Sequence, residues 1–221
     1  MVREKAWWLL ALHGLVAAAL YGFAAHHPIR EPLIIYPSTI DHLIPFVPSA
    51  AWLYATYLAL LPVLLLARWK PGFNTVFVAG TSCAILNAIV YILFPTALVA
   101  RTPAPPGTLL AAIQAMDTTL CALPSGHVSL PTALAASAWV AAADHDGYRR
   151  WWRWVAAGFA VWTVLLGAST LLTRQHYVVD ALAGGVFGAA VAATVASPFA
   201  LVRRWRRPSP ARRSAASWPT C

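Results

Sequence analysis

Six uninterrupted apolar stretches dominate this chain: Ala6–Ala25, Pro48–Ala67, Phe73–Phe94, Gly126–Ala143, Trp154–Leu172 and Tyr177–Val202. Each is close to the roughly 20 residues that cross a bilayer's hydrocarbon core as helix. In hydrocarbon every backbone N–H and C=O must be satisfied internally, and a helix does this within one segment. The stretches take up more than half of the 221 residues and leave short connections and one polar tail, with no room for a separate soluble domain. Composition agrees, at 60% hydrophobic and 10% charged residues, against roughly 45–50% and about 25% in soluble domains. The expected architecture is all-α, a polytopic membrane bundle of six transmembrane helices over residues 1–202. The tail, 203–221, holds six Arg with Pro and Ser; this composition buries no core and is expected to lie disordered against anionic lipid.

A net charge of +9 would suggest nucleic acid if the basic residues shared one soluble face. Here they alternate with the spans, so no nucleic-acid partner is expected. Thirteen of the 16 Lys and Arg lie at the N-terminus, in the second and fourth connections and in the tail, and only Arg30, Arg101 and Arg174 lie on the other side. That asymmetry over short loops places both termini in the cytoplasm and the protein in the cell membrane. Trp7, Trp8, Trp69, Trp151, Trp152, Trp154 and Trp205 cluster near the same inner boundary, where amphipathic rings prefer to sit. Arg3 and Lys5 precede the first stretch, but its 20-residue apolar core is too long for a cleaved signal, so it is expected to remain a span. Cys83, Cys121 and Cys221 are too scattered for an obvious disulfide or metal site.

The first outer connection, His26–Val47, is Pro-rich and is expected to form an irregular cap. The third, Pro95–Pro124, opens on a Pro-rich run and continues as Thr108–Leu123, expected as a short interfacial helix. Gly184 and Gly188 form a small-xxx-small pair that lets the last helix approach a neighbour closely.

Ionisable side chains inside a span are expensive and point to function. Asp180 is the only charged residue in the six stretches, and His176, four residues earlier, shares its helix face. A carboxylate there accepts from one imidazole nitrogen and aims the other at a substrate. The second cluster is Pro124-Ser125-Gly126-His127, where the fourth stretch begins. Ser125 suits an N-cap, the free amides and positive dipole end of the helix suit a phosphate oxyanion, and Gly126 permits close backbone approach. The topology brings His127, Arg174, His176 and Asp180 to the same outer depth, with Arg174 a cation suited to phosphate. His13 reads as a packed core residue, His26, His27 and His42 as solvated cap positions, and His145 as an inner residue away from the site.

The Pro-Ser-Gly-His element, followed by Ser169-Thr170-Leu171-Leu172-Thr173-Arg174-Gln175-His176-Tyr177-Val178-Val179-Asp180, resembles the second and third signatures of the type 2 phosphatidic acid phosphatase superfamily. That superfamily includes vanadium haloperoxidases and the inositol phosphorylceramide and sphingomyelin synthases. The resemblance implies that His176 is a nucleophile forming a phosphohistidine, that Asp180 orients it, and that His127 protonates the leaving oxygen. Ser125 and the Gly126 amide would hold phosphoryl oxygens, with no metal and no cofactor. Two departures stand out: the usual Ser-Arg is Ser169-Thr170 here, which makes Arg174 the nearby arginine, and the first signature is represented only by Arg101 near Pro103. The Gln-His-Tyr-x-x-Asp form, with Ile44-Pro45-Phe46-Val47-Pro48, is closer in style to the synthase branch.

The expected function is an integral membrane phosphatase that removes phosphate from a lipid phosphate at the extracytoplasmic face, with phosphotransfer to an alcohol acceptor such as inositol as the alternative. A two-histidine, one-carboxylate metal site at His127, His176 and Asp180 would predict loss of activity on chelation. A lipid transporter would require a polar midplane pathway, and His13, Asn74 and Asn87 are the only candidates at depth.

Overall fold

The computed structural model describes the backbone of residues 2–206, and the side chains in that range other than 2–7, 9–11, 13, 14, 61 and 196–206. The chain is mostly helical. Five of the expected stretches are single long helices: α1 (Val2–His26), α5 (Phe73–Leu93), α7 (Gly126–Asp144), α8 (Arg149–Leu172) and α9 (Val178–Arg206). The second stretch is broken into a 3-10 turn (Pro48–Ala50), α3 (Ala51–Ala55), a second 3-10 turn (Thr56–Ala59) and α4 (Leu60–Leu65). Pro62 explains the break, because it offers no N–H to the carbonyl four residues back, and the backbone there tightens to i→i+3 bonding. The expectations for the His13 side chain and for the tail beyond Arg206 lie outside the described residues. Within them, α9 continues four residues past the expected boundary at Val202.

Among the described residues four segments are long and apolar enough to cross a membrane: Pro48–Leu65, Phe73–Leu93, Asp146–Leu172 and Val178–Val195. In α1 the described apolar run is Leu15–His26. α7 stands outside this set because Ser129, Pro131, Thr132 and Ser137 dilute its hydropathy. It is enclosed by α5, α8 and α9, and a helix surrounded by protein need not be apolar. Its hydroxyls are satisfied internally: Ser137 Oγ donates to the Ala133 carbonyl at 2.6 Å, and Thr132 Oγ1 to that of Val128 at 2.7 Å. Asn87 Nδ2 of α5 donates to the buried Ser129 Oγ at 2.6 Å.

Close approach of α9 to α7 rests on Gly184 and Gly188, as their spacing suggested. A Cβ at Gly184 would lie 2.5 Å from the Ser125 carbonyl oxygen, and one at Gly188 only 2.1 Å from that of Ser129. The other face of α9 carries the exposed Val179, Leu182 and Val186.

At the opposite end of α7 a hydrophobic cluster joins α4, α5, α7 and α8 around Trp152. Trp152 is fully buried, and its Nε1 donates to the Pro71 carbonyl at 2.7 Å. It is therefore a core side chain, not the interfacial ring that was expected, whereas Trp69 and Trp154 are exposed. Trp152→Ala is expected to destabilise the bundle by about 3–5 kcal/mol through the cavity it leaves, read as a lowered unfolding midpoint in detergent.

The capping connections are more ordered than the Pro content suggested. β1 (Leu33–Ile35) and β2 (Thr96–Leu98) form a two-stranded parallel sheet with Leu33 opposite Thr96, so the chain is not purely helical. Extended, Pro-rich connections leave backbone groups unpaired within each, and the two connections satisfy one another. The expected helix over Thr108–Leu123 is shorter, α6 (Leu109–Met116), because Asp117 turns back to accept the Thr118 N–H and the Arg101 guanidinium. The cap also holds α2 (Thr39–Leu43), opened by a reciprocal capping box between Ser38 and Asp41.

Candidate active site

α8 ends in a motif in which the Gln175 N–H donates to the Thr170 carbonyl at 2.9 Å and the Arg174 N–H to that of Leu171 at 3.1 Å. This is the Schellman pattern, whose residue after the cap is left-handed and usually Gly. Here that residue is Arg174, at φ 56°. The conformation is unfavourable for a side chain, and the guanidinium offsets it by donating to the Asp41 and Ile44 carbonyls of the cap. The turn reverses the chain so that His176 stands two residues before α9, off the helix face that its four-residue spacing from Asp180 had suggested.

Asp41 completes the clasp from the other side, its Oδ1 accepting the first N–H of α9, that of Val178, at 2.7 Å. The Val47 N–H donates to the Leu172 carbonyl at 2.8 Å. Burial acts to raise the Asp41 pKa, but hydrogen bonds from Ser38 Oγ and the Val178 and Ser38 amides, with the Arg174 charge, outweigh it and hold the carboxyl below its ordinary value. A depressed folded pKa contributes stability that is present above the unfolded value of about 3.9 and is lost as the pH falls through the folded one. The melting temperature of the native protein is therefore expected to fall below about pH 4. Asp41→Asn is expected to melt earlier near neutrality and to show a shallower acid decline, measured by thermal unfolding across pH.

The start of α9 then forms the first half of the site. Asp180 is fully buried, and its Oδ2 accepts the Tyr177 N–H at 2.9 Å and faces His176 Nδ1 at 3.5 Å. Its backbone carbonyl accepts the Ser125 N–H at 3.0 Å. One residue thus ties the two motifs together, by its side chain to His176 and by its main chain to Ser125.

The second half is the start of α7. Ser125 occupies the N-cap position in extended conformation, but its side chain makes no capping bond; Oγ is buried and without a partner among the described residues. The Gly126 and His127 amides have no intrahelical acceptors, whereas the Val128 N–H donates to the Ser125 carbonyl at 3.2 Å. Pro131 supplies no N–H to the His127 carbonyl, so the backbone around the motif keeps unused polar capacity. Tyr91 Oη donates to the Pro124 carbonyl at 2.5 Å and steadies the entry to the helix. The His127 ring lies between Tyr54 and Tyr57, at centroid distances of 4.3 and 4.5 Å, and 5.6 Å from the His176 ring.

These groups face a cavity of about 590 Å³ whose lining is mostly apolar, drawn from α1, α5, α6 and the broken second stretch. Gly126, His127, Gln175, His176 and Arg101 line it together. The structure thus gathers Ser125, Gly126, His127, His176, Asp180 and Arg101 around one site. Arg101 donates to Asp117 Oδ2 at 3.1 Å, to the Asp117 carbonyl at 3.3 Å and to the Thr118 carbonyl, while its Nε is buried and has no hydrogen-bond partner among the described residues. Arg174 likewise donates through both terminal nitrogens to cap carbonyls, but unlike Arg101 it is not among the residues that line the cavity.

Sequence reading missed Asp41, Asp117, Gln175 and the tyrosines beside His127. Asp41 alone carried a local signal, the Ser38-x-x-Asp41 capping pattern. Among the described residues no group of three or more His, Cys, Asp or Glu is arranged to hold a metal ion. The sequence profile of the PAP2 superfamily matches residues 75–204, more than half of the chain and both motifs. No curated protein and no solved structure matches it.

Proposed function

The chain belongs to the PAP2 superfamily, whose members include phosphatases and phosphotransferases, and on that footing we propose that it is an integral membrane lipid phosphatase. It removes phosphate from a lipid phosphate, of the phosphatidic acid or polyprenyl diphosphate type, through a phosphohistidine. The supporting observation is that two polar helix starts meet on the wall of an otherwise apolar cavity of about 590 Å³. Six helices cross the membrane, α7 among them as the enclosed one, and the distribution of Lys and Arg puts the site at the extracytoplasmic face.

In the first step His176 Nε2 attacks phosphorus. Asp180, 3.5 Å from Nδ1, holds the proton on that nitrogen and stabilises the charge that develops on the ring. His127 gives a proton to the departing lipid alkoxide. Ser125 Oγ, the first amides of α7 and Arg101 hold the phosphoryl oxygens. Arg174 contributes by fixing the turn that precedes His176. In the second step water takes the phosphoryl group from His176. Positioning and electrostatics supply most of the acceleration, as in phosphoryl transfer generally.

The test is orthophosphate release by detergent-purified protein from phosphatidic acid, lysophosphatidic acid and a polyprenyl diphosphate, with EDTA present. Release that persists in EDTA and is inhibited by vanadate, a mimic of five-coordinate phosphorus, is expected. Loss of release on chelation would contradict the metal-independent mechanism, and transfer to inositol without release would replace hydrolysis by phosphotransfer.

A further inference from the structure

Two amides on the cavity wall, Asn87 and Gln175, carry a buried oxygen that has no hydrogen-bond partner among the described residues and that the two steps above leave unused, and Gln175 is the one next to His176 in the chain. Gln175 is 2% exposed and lines the cavity beside His127 and His176. Its Nε2 donates to the Thr173 carbonyl at 3.1 Å, which commits the other end of the amide as an acceptor. That end, Oε1, is buried and has no hydrogen-bond partner among the described residues. A buried acceptor left without a donor is costly, so a donor that arrives with the reaction is the natural occupant.

A fully ionised phosphate brings no donor, and its oxygens repel an amide oxygen. A lipid alkoxide brings none either. The attacking molecule of the second step does: water carries two O–H groups, and an alcohol carries one. His127 takes whichever proton is transferred. The remaining O–H of water needs an acceptor outside the phosphoryl group if the lone pair is to point at phosphorus, and an alcohol has no such requirement. A glutamine that orients the attacking water is an established device in phosphoryl transfer.

Resting on the phosphohistidine reading, we propose that Gln175 is a water-positioning residue that makes this chain a hydrolase in preference to a transferase. Gln175 Oε1 accepts one O–H of the attacking water and His127 accepts the other. The water oxygen bonds to phosphorus as the bond from phosphorus to His176 Nε2 breaks, and its electron pair returns to the imidazole. The water proton passes to His127, which gave its own to the lipid alkoxide in the first step. Orthophosphate leaves, and both histidines are restored.

The experiment supplies methanol to the turning-over enzyme, with whichever lipid of the panel above the native protein hydrolyses, and measures methyl phosphate against orthophosphate. This ratio reports only the second step, so partial misfolding or slower phosphorylation lowers both products together and leaves it unmoved. In Gln175→Met, which keeps the length and removes the acceptor, the ratio is expected to rise about tenfold or more, the kinetic value of one such hydrogen bond. If the Met variant yields neither product, Gln175→Asn, with its acceptor one methylene short, is measured instead and is expected to give a smaller rise. An unchanged ratio in a variant that still turns over overturns the role of Gln175 and leaves the phosphatase reading standing. A native protein that yields neither orthophosphate nor methyl phosphate overturns both.

Discussion

Replacing His176 by Ala is expected to lower turnover of a lipid phosphate by at least about a thousandfold, the scale seen when a nucleophile is removed and only binding and oxyanion stabilisation remain. The ring is 7% exposed. It presents one nitrogen to the buried Asp180 carboxylate and the other to the cavity, so no neighbouring group takes its place in bond formation. The fold should survive the change. Asp180 still accepts the Tyr177 N–H through Oδ2, and its carbonyl still accepts the Ser125 N–H, so the junction of α7 and α9 keeps its tethers. Asp180→Asn preserves those two bonds but withdraws the charge that stabilises the imidazole as it reacts, and is expected to cost about 10²–10⁴ in turnover. Activity measured beside thermal unfolding separates the two effects: both variants should melt near the native temperature while turning over far more slowly.

Gly188→Ala is expected to be nearly as damaging by a different route, through both stability and activity. The added methyl would lie 2.1 Å from the Ser129 carbonyl oxygen, and because both groups are held by helix backbone, neither can rotate aside. The helices must separate instead. Overpacking of this kind costs about 1–3 kcal/mol, and the consequence for chemistry is larger. α7 carries Ser125 and His127, α9 carries Asp180, and His176 is joined to its start; displacing reacting groups by about 1 Å costs on the order of a hundredfold in rate. Gly184→Ala meets the Ser125 carbonyl at 2.5 Å and acts on the same junction. The control is Gly158→Ala on α8, where a Cβ meets nothing within 4 Å and activity should be unchanged. Normal turnover in Gly188→Ala would show that the two motifs are not held in register by this contact.

The parts of this fold that were legible in the sequence are those encoded locally. Apolar length marks the long helices, and Pro124-Ser125-Gly126 marks the start of α7 to the residue. The spacing of His176 and Asp180 announces that the two meet, at 3.5 Å, although His176 lies in the turn before α9 and not on the helix face that the period implies. The break in the second stretch was also local, since Pro62 signals it, but apolar length outweighed that signal in the reading. What escaped was long-range. β1 and β2 pair across connections that look irregular separately, and no periodicity in either announces the partner. Arg174 sits two residues before His176 and reads as a phosphate ligand, but its guanidinium is held by carbonyls of the cap, which only the folded chain brings near. Asp41 had a visible capping pattern with Ser38, and nothing local reveals that its other oxygen caps α9. Charge next to a motif is thus a weaker guide to ligand contact than an orphaned polar atom on a cavity wall, and Gln175 belongs to the second kind.

The most direct test of the central claim is to trap the phosphorylated enzyme. Protein turning over a lipid phosphate labelled in its phosphoryl group is quenched, digested under alkaline conditions that preserve phosphohistidine, and the labelled peptide sequenced by mass spectrometry. The label is expected on His176, absent from His176→Ala and unaffected by EDTA. Label on Ser125 or His127, or turnover with no covalent label in a rapid quench, would contradict the assignment of His176 as nucleophile.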